Sequence, residues 1–175
     1  MAKRQIRLMG DDILQKKARP VTEFNASLHQ LLDDMWDTLH FHDALGLAAP
    51  QVGVLRRVVI VELEDEDTEE RTPYEFVNPT ILASSDEKAN TEGCLSVDKM
   101  HGDVSRPTRV TLQAQDRHGE PFELEAEDTL AIAISHEMDH LEGILFLDKA
   151  ENIVETNDDD PPPSRRKRFS KKKRR

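Results

Sequence analysis

The chain has 175 residues, 37% of them hydrophobic and 34% charged, with a formal net charge of −11. That length suits one domain with a proper core, and no apolar run reaches the roughly 18–20 residues that a membrane span needs. A single cysteine, Cys94, excludes an internal disulfide and fits a reducing, cytoplasmic location, with the protein acting as a monomer. The charge falls into two regimes. Arg165–Arg175 carries nine of the 24 basic residues and no acid, leaving 15 basic against 35 acidic residues in the rest. Such a body repels nucleic-acid phosphate, whereas the tail attracts it. The start, Met1–Arg7, lacks the apolar core of a secretory signal.

Residues 6–22 read as an extended entry with a helical turn near Asp11–Lys17, broken at Pro20. Asn25 suits a helix cap. After it, Leu28, Leu31, Leu32, Met35, Trp36 and Leu39 recur three and four apart, which predicts an amphipathic helix of about 14 residues. Trp36 belongs to its core face, and Asp33, Asp34 and Asp37 to its polar face. Gly46-Leu47-Ala48-Ala49-Pro50-Gln51-Val52-Gly53 reads as a loop that lets backbone approach something closely. Arg57–Leu63 is a β-branched strand, Glu64–Glu70 a solvated turn, and Tyr74–Leu82 a second strand interrupted at Pro79. The polar stretch Ser85–Asn90 leads to Glu92-Gly93-Cys94-Leu95-Ser96-Val97. Arg109–Asp116 and Pro121–Glu125 predict a hairpin around Asp116-Arg117-His118-Gly119. Asp128 and Thr129 suit the cap of a last helix, which ends near Gly143 and buries Ile132, Ala133, Met138 and Leu141. Leu145-Phe146-Leu147 closes the body. From about Asn157 an Asp/Pro run and then the basic run have the composition of a disordered tail. The expected class is α+β: short, mainly antiparallel strands around a C-terminal helix, plus an N-terminal helix. The domain spans 1–156 and the tail 157–175.

The last helix carries His136-Glu137-Met138-Asp139-His140. Residues four apart on a helix stack one above the other, about 6 Å apart along the axis. Two imidazoles at that spacing can grip one metal ion, with Glu137 beside a water on it, the pattern of a metal-bound hydrolytic water with a glutamate base. A catalytic site of this kind needs a third protein ligand. The extended three-histidine peptidase motif is excluded, because Phe146 stands where its third histidine would be. A later glutamate, Glu151 or Glu155, and the thiol of Cys94 remain open.

Three stretches together resemble the motifs of the peptide deformylase family: Gly46-Leu47-Ala48-Ala49-Pro50-Gln51, Glu92-Gly93-Cys94-Leu95-Ser96, and His136-Glu137-Met138-Asp139-His140-Leu141-Glu142-Gly143. The likeness extends over roughly residues 5–150. It implies hydrolysis of the N-formyl group of formylmethionyl peptides, with release of formate. By this resemblance Cys94, His136 and His140 hold one divalent metal, Fe²⁺ by family habit, with Zn²⁺, Ni²⁺ or Co²⁺ accepted. Glu137 is the base, and the Gln51 amide and the Leu95 N–H are the oxyanion donors. Leu45, Gly46, Ile132 and Ala133 line the methionine pocket with the face of His136. Glu92 is placed beside the substrate and, with Arg106, as a brace of the site; Asp139 orients a ligand or neighbouring backbone. Three positions depart from the family pattern. Ala44 replaces a glycine and adds a methyl near the peptide path, Ser135 replaces a glutamine and shortens a contact behind the ligands, and His101 replaces an arginine that reaches the substrate. The basic tail Arg165–Arg175 suits either a tether to ribosomal RNA or a disordered tail that folds back on the acidic body.

Overall fold

The computed structural model describes residues 2–157. A 3-10 turn (Asp12–Gln15) precedes helix α1 (Ala26–Phe41). Strands β1 (Gly46–Ala48), β2 (Val58–Glu64), β3 (Arg71–Cys94), β4 (Val97–Gln115) and β5 (Pro121–Glu127) follow. Helix α2 (Asp128–Leu141) and strand β6 (Glu151–Glu155) complete the described chain. All strand pairs are antiparallel, in the order β1-β2-β3-β4-β5, with β6 on β4. The α+β architecture is the expected one.

Strand β2 explains how the layers form. Its residues alternate between faces. Val59 and Val61 join one core cluster, with Phe76, Leu112 and the α2 residues Ala131, Ile134 and Leu141. Val58 and Ile60 join the other, with Leu28, Leu31, Leu32, Met35 and Leu39 of α1. The unbroken apolar run Val58–Val61 is thus buried on both faces, between the two helices. Each fully buried aliphatic side chain contributes about 1.5–3 kcal/mol of transfer free energy.

Helix α1 starts where the sequence places it. The Asn25 carboxamide oxygen accepts from the Ser27 and Leu28 N–H groups at 3.1 and 3.2 Å, which satisfies two of the orphan donors at the helix start. Trp36 packs against the α1 cluster but is only partly buried, and its Nε1–H donates to Glu75 at 2.8 Å. Asp34 is buried rather than on a solvent face. The N-terminal segment folds over it, and Arg4 pairs with its carboxylate at 2.9 Å.

One stretch without an assigned element gains one, and one expectation needs correction. The polar stretch Ser85–Asn90 lies in β3: β3 and β4 form one hairpin that runs through it, with register shifts near Val77–Thr80, Ile81–Ala83 and Glu92–Cys94. Shifts of this kind bend a strand, and polar residues are tolerated there because this part of β3 is exposed. At α2, neither Asp128 nor Thr129 is the cap. Strand β5 runs directly into the helix, so Glu127, the last strand residue, holds the N-cap position without a side-chain bond. The far end matches expectation. Gly143 is left-handed (φ 74°), its N–H donates to the His140 carbonyl, and the Ile144 N–H donates to the Asp139 carbonyl at 2.9 Å. These two bonds are a Schellman stop placed directly after the second histidine.

Candidate active site

Two elements and one loop converge. Strand β3 ends at Cys94, and the two-residue turn Leu95–Ser96 leads into β4. Helix α2 presents His136 and His140 one turn apart. The Cys94 sulfur and one nitrogen from each imidazole all lie within 4.8 Å of one another. Cys94 Sγ is 3.3 Å from His140 Nε2. His136 uses its other nitrogen, Nδ1, toward Glu92 Oε2 at 2.8 Å. With Glu92 ionised, Nδ1 carries the proton and Nε2 is left as the lone-pair donor. A soft thiolate with two imidazoles is a donor set for a divalent transition metal or zinc, and three such atoms at this separation fit one ion. Glu151 and Glu155, the alternative ligands, lie on the exposed strand β6 and take no part in this cluster.

Charge at the site follows from burial and partners. Burial alone would raise the Glu92 carboxyl, but hydrogen bonds from His136 and Arg106 outweigh it and hold it at about 2. Burial would keep His136 neutral, yet Cys94 and Glu92 pull its imidazole well above the usual range. His140 is depressed, by burial and then by the nearby His136 and Arg106 charges, which keeps it neutral and available as a ligand. Burial pushes Glu137 up to about 7, against the lowering charge of His136, and the Glu92 carboxylate raises it further. Its Oε2 is buried and has no partner among the described residues.

The motif-one loop forms β1 and a 3-10 turn (Ala49–Val52) that carries Gln51. The Ala48 N–H donates to Gln51 Oε1 at 2.9 Å, which turns the amide nitrogen toward Ser96 Oγ (3.2 Å) and Cys94 Sγ (3.4 Å). Gly46 lies against Glu137: a side-chain carbon there would sit 2.7 Å from Glu137 Oε1. Leu45 and Ala133 pack in the same core cluster, and Ile132 is partly buried on the adjoining turn of α2. Glu92, expected beside the substrate and as a brace, is buried, and both its oxygens are bonded, by Arg106 Nε at 2.7 Å, Arg106 Nη2 at 3.0 Å and His136. Arg106 also reaches Asp139 at 2.6 Å.

The three departures have structural answers. The Ala44 methyl is buried in the α1 cluster. Ser135 donates to the Ala131 carbonyl of its own helix at 2.8 Å, so it contacts no ligand. The His101 ring lies over Gly93, 2.9 Å from where a side-chain carbon would stand. Sequence reasoning missed the N-terminal segment, whose Arg7 and Met9 N–H groups donate to the Gln51 and Ser96 carbonyls, each at 2.7 Å. Backbone bonds of this kind leave no side-chain signal. Ser96 was legible only as part of its motif.

A family model described as polypeptide deformylase matches residues 3–156. The chain belongs to the polypeptide deformylase family. A peptide deformylase of Heliobacterium modesticaldum is 47% identical over 152 residues, covering 87% of this chain and 97% of the relative. A crystal structure of a peptide deformylase from Legionella pneumophila superposes with a TM-score of 0.79 at 41% identity, covering 86% of this chain and 87% of that one. The peptide deformylase of Ehrlichia chaffeensis in complex with actinonin gives 0.82 at 33% identity, covering 87% and 91%. The protein is therefore a metal-dependent hydrolase that removes the N-formyl group from the N-terminal formylmethionine of newly synthesised polypeptides and releases formate.

Proposed function

We propose that Cys94, His136 and His140 are the metal ligands, that Glu137 is the proton-transfer group, and that Gln51 and the Leu95 N–H stabilise the oxyanion. The observation that carries this reading is the meeting of three ligand atoms within 4.8 Å beside a buried carboxylate whose Oε2 has no partner among the described residues. The bound metal would polarise the formyl carbonyl and supply a nucleophilic hydroxide near neutral pH. Glu137 takes the proton from the attacking water and delivers it to the departing amine. A carboxyl at about 7 is matched to both halves of that task near neutrality. The Gln51 amide, held by the Ala48 N–H, donates to the developing oxyanion, and one such donor typically contributes about 3–4 kcal/mol. Glu92, fixed by Arg106, holds the His136 ring in one orientation.

Substrate enters along β1, which among the described strands pairs with β2 alone, so its other edge can take an extended peptide as an added strand. Leu45, Gly46, Ile132 and Ala133 line the methionine pocket. The ion is Fe²⁺, supported by the thiolate-imidazole donor set and family habit. The enzyme acts as a monomer, and its lone cysteine supports a reducing, cytoplasmic location; no helix among the described residues is long and apolar enough to cross a membrane. The experiment is metal analysis after anaerobic loading. One Fe²⁺ per parent chain and a large loss in Cys94→Ala supports the ligand set; equal retention by the variant refutes it.

The basic run Arg165–Arg175 lies outside the described residues, and its nine positive charges support a tether to ribosomal RNA. Deleting residues 164–175 then reduces co-sedimentation with ribosomes at low salt. Equal binding by the shortened chain contradicts the tether.

A further inference from the structure

Behind the metal ligands runs a chain of charged groups that ends outside the three motifs. His136 Nδ1 meets Glu92, and Glu92 meets Arg106 through two bonds. Arg106 Nη1 meets Asp139 Oδ2 at 2.6 Å, and the other Asp139 oxygen meets Lys149 Nζ at 3.0 Å. The Arg106 side chain is 3% exposed, Glu92 5% and Asp139 14%, whereas Lys149 is 44% exposed. Within this group one buried guanidinium faces two carboxylates. Lys149 supplies the second positive charge, so the shell behind His136 is neutral only with it in place.

Lys149 is also held in position. It follows the 3-10 turn Phe146–Asp148, which the Asp148 carboxylate closes on the Leu145 N–H at 3.0 Å. The Lys149 N–H donates to the Phe146 carbonyl at 3.0 Å, and the buried Phe146 ring packs 6.3 Å from the His136 ring. An isolated exposed ion pair contributes little. This pair differs because its acidic partner is mostly buried and shares a cation with Glu92. Without Lys149, Asp139 competes for Arg106 with its full charge and draws it from Glu92. Glu92 then holds the His136 ring less firmly.

We propose that Lys149 is a positioning residue of the metal site, acting through Asp139, Arg106 and Glu92 on the His136 imidazole. The inference rests on Cys94, His136 and His140 being the ligands. The test uses Co²⁺ as a spectroscopic probe, titrated into the full-length metal-free chain. The parent is expected to show a thiolate-to-Co²⁺ charge-transfer band that Cys94→Ser removes. Lys149→Met is expected to weaken the apparent Co²⁺ affinity by about 10-fold, the lower end of the range for residues behind a metal ligand, and to shift the d–d bands. Lys149→Arg is expected to return both to the parent values, and Lys149→Met to add nothing in an Asp139→Asn background. A merely structural lysine would change thermal stability and leave the spectrum alone. Parent affinity and spectrum in Lys149→Met overturn the proposal, as does an Arg variant as defective as the Met variant. A parent without the charge-transfer band refutes the ligand set itself, and the proposal falls with it.

Discussion

Gly46 and Glu137 are coupled by space. A β-carbon at residue 46 would lie 2.7 Å from Glu137 Oε1 and 3.0 Å from its Cγ, closer than real contacts allow. The flexible carboxylate would give way, not the strand. Gly46→Ala should therefore keep the fold and the bound metal while moving the base. A misplacement near 1 Å can cost about 100-fold in rate, and formate-release kinetics with the Gly46→Ala variant should show a loss of that order in kcat/KM, beside unchanged metal content. Parent kinetics would mean that Glu137 does not act from this position. The same residue shows how far sequence could reach. A Gly/Ala/Pro-rich stretch marks a close backbone approach, and His136 and His140 at helical spacing mark a metal helix. What the backbone approaches is tertiary information. So is the choice between Cys94 and the later glutamates, which the residues left open; the fold brings Cys94 to both imidazoles.

Among the elements, Glu75 of β3 shows how the periphery is held. It accepts from Trp36 of α1 and from Arg117 in the β4–β5 turn, and Arg117 also reaches Asp33 of α1 at 3.2 Å. Burial pushes the Glu75 carboxyl up, but hydrogen bonds from Arg117 and Trp36 outweigh it and hold it below the usual range. A carboxyl depressed in the folded state stabilises above its unfolded pKa, about 4.3, and that contribution is lost as pH falls through the folded value. Urea unfolding from pH 6 to pH 3 should show the parent losing stability in the acid range more steeply than Glu75→Gln. Identical slopes would remove Glu75 from the acid response. Helix α1, β2 and the β4–β5 hairpin were legible because their periodicity and turn residues are local. The long β3–β4 hairpin was not. Its exposed middle is polar and patternless, and only pairing with β4 makes it a strand. β6 was missed for a similar reason, since all five of its residues are exposed and no face is apolar.

At the scale of the molecule, the fold is a device for bringing three distant stretches to one point. The two-sided burial of β2 fixes α2 against the sheet, the β3–β4 turn brings Cys94 to that helix, and the β1 edge brings Gln51 and Gly46 beside it. The proposed mechanism makes one central prediction: amide hydrolysis depends on Glu137 in a chain that still holds its metal. The direct measurement is anaerobic formate release from a formyl-Met peptide by the Fe²⁺-loaded parent and by Glu137→Ala, with metal content measured on both. The parent should turn over, and the variant should retain metal and lose about 100- to 10,000-fold in kcat, the range expected for a general acid-base group. Parent-like turnover by Glu137→Ala, with metal bound, would contradict the account.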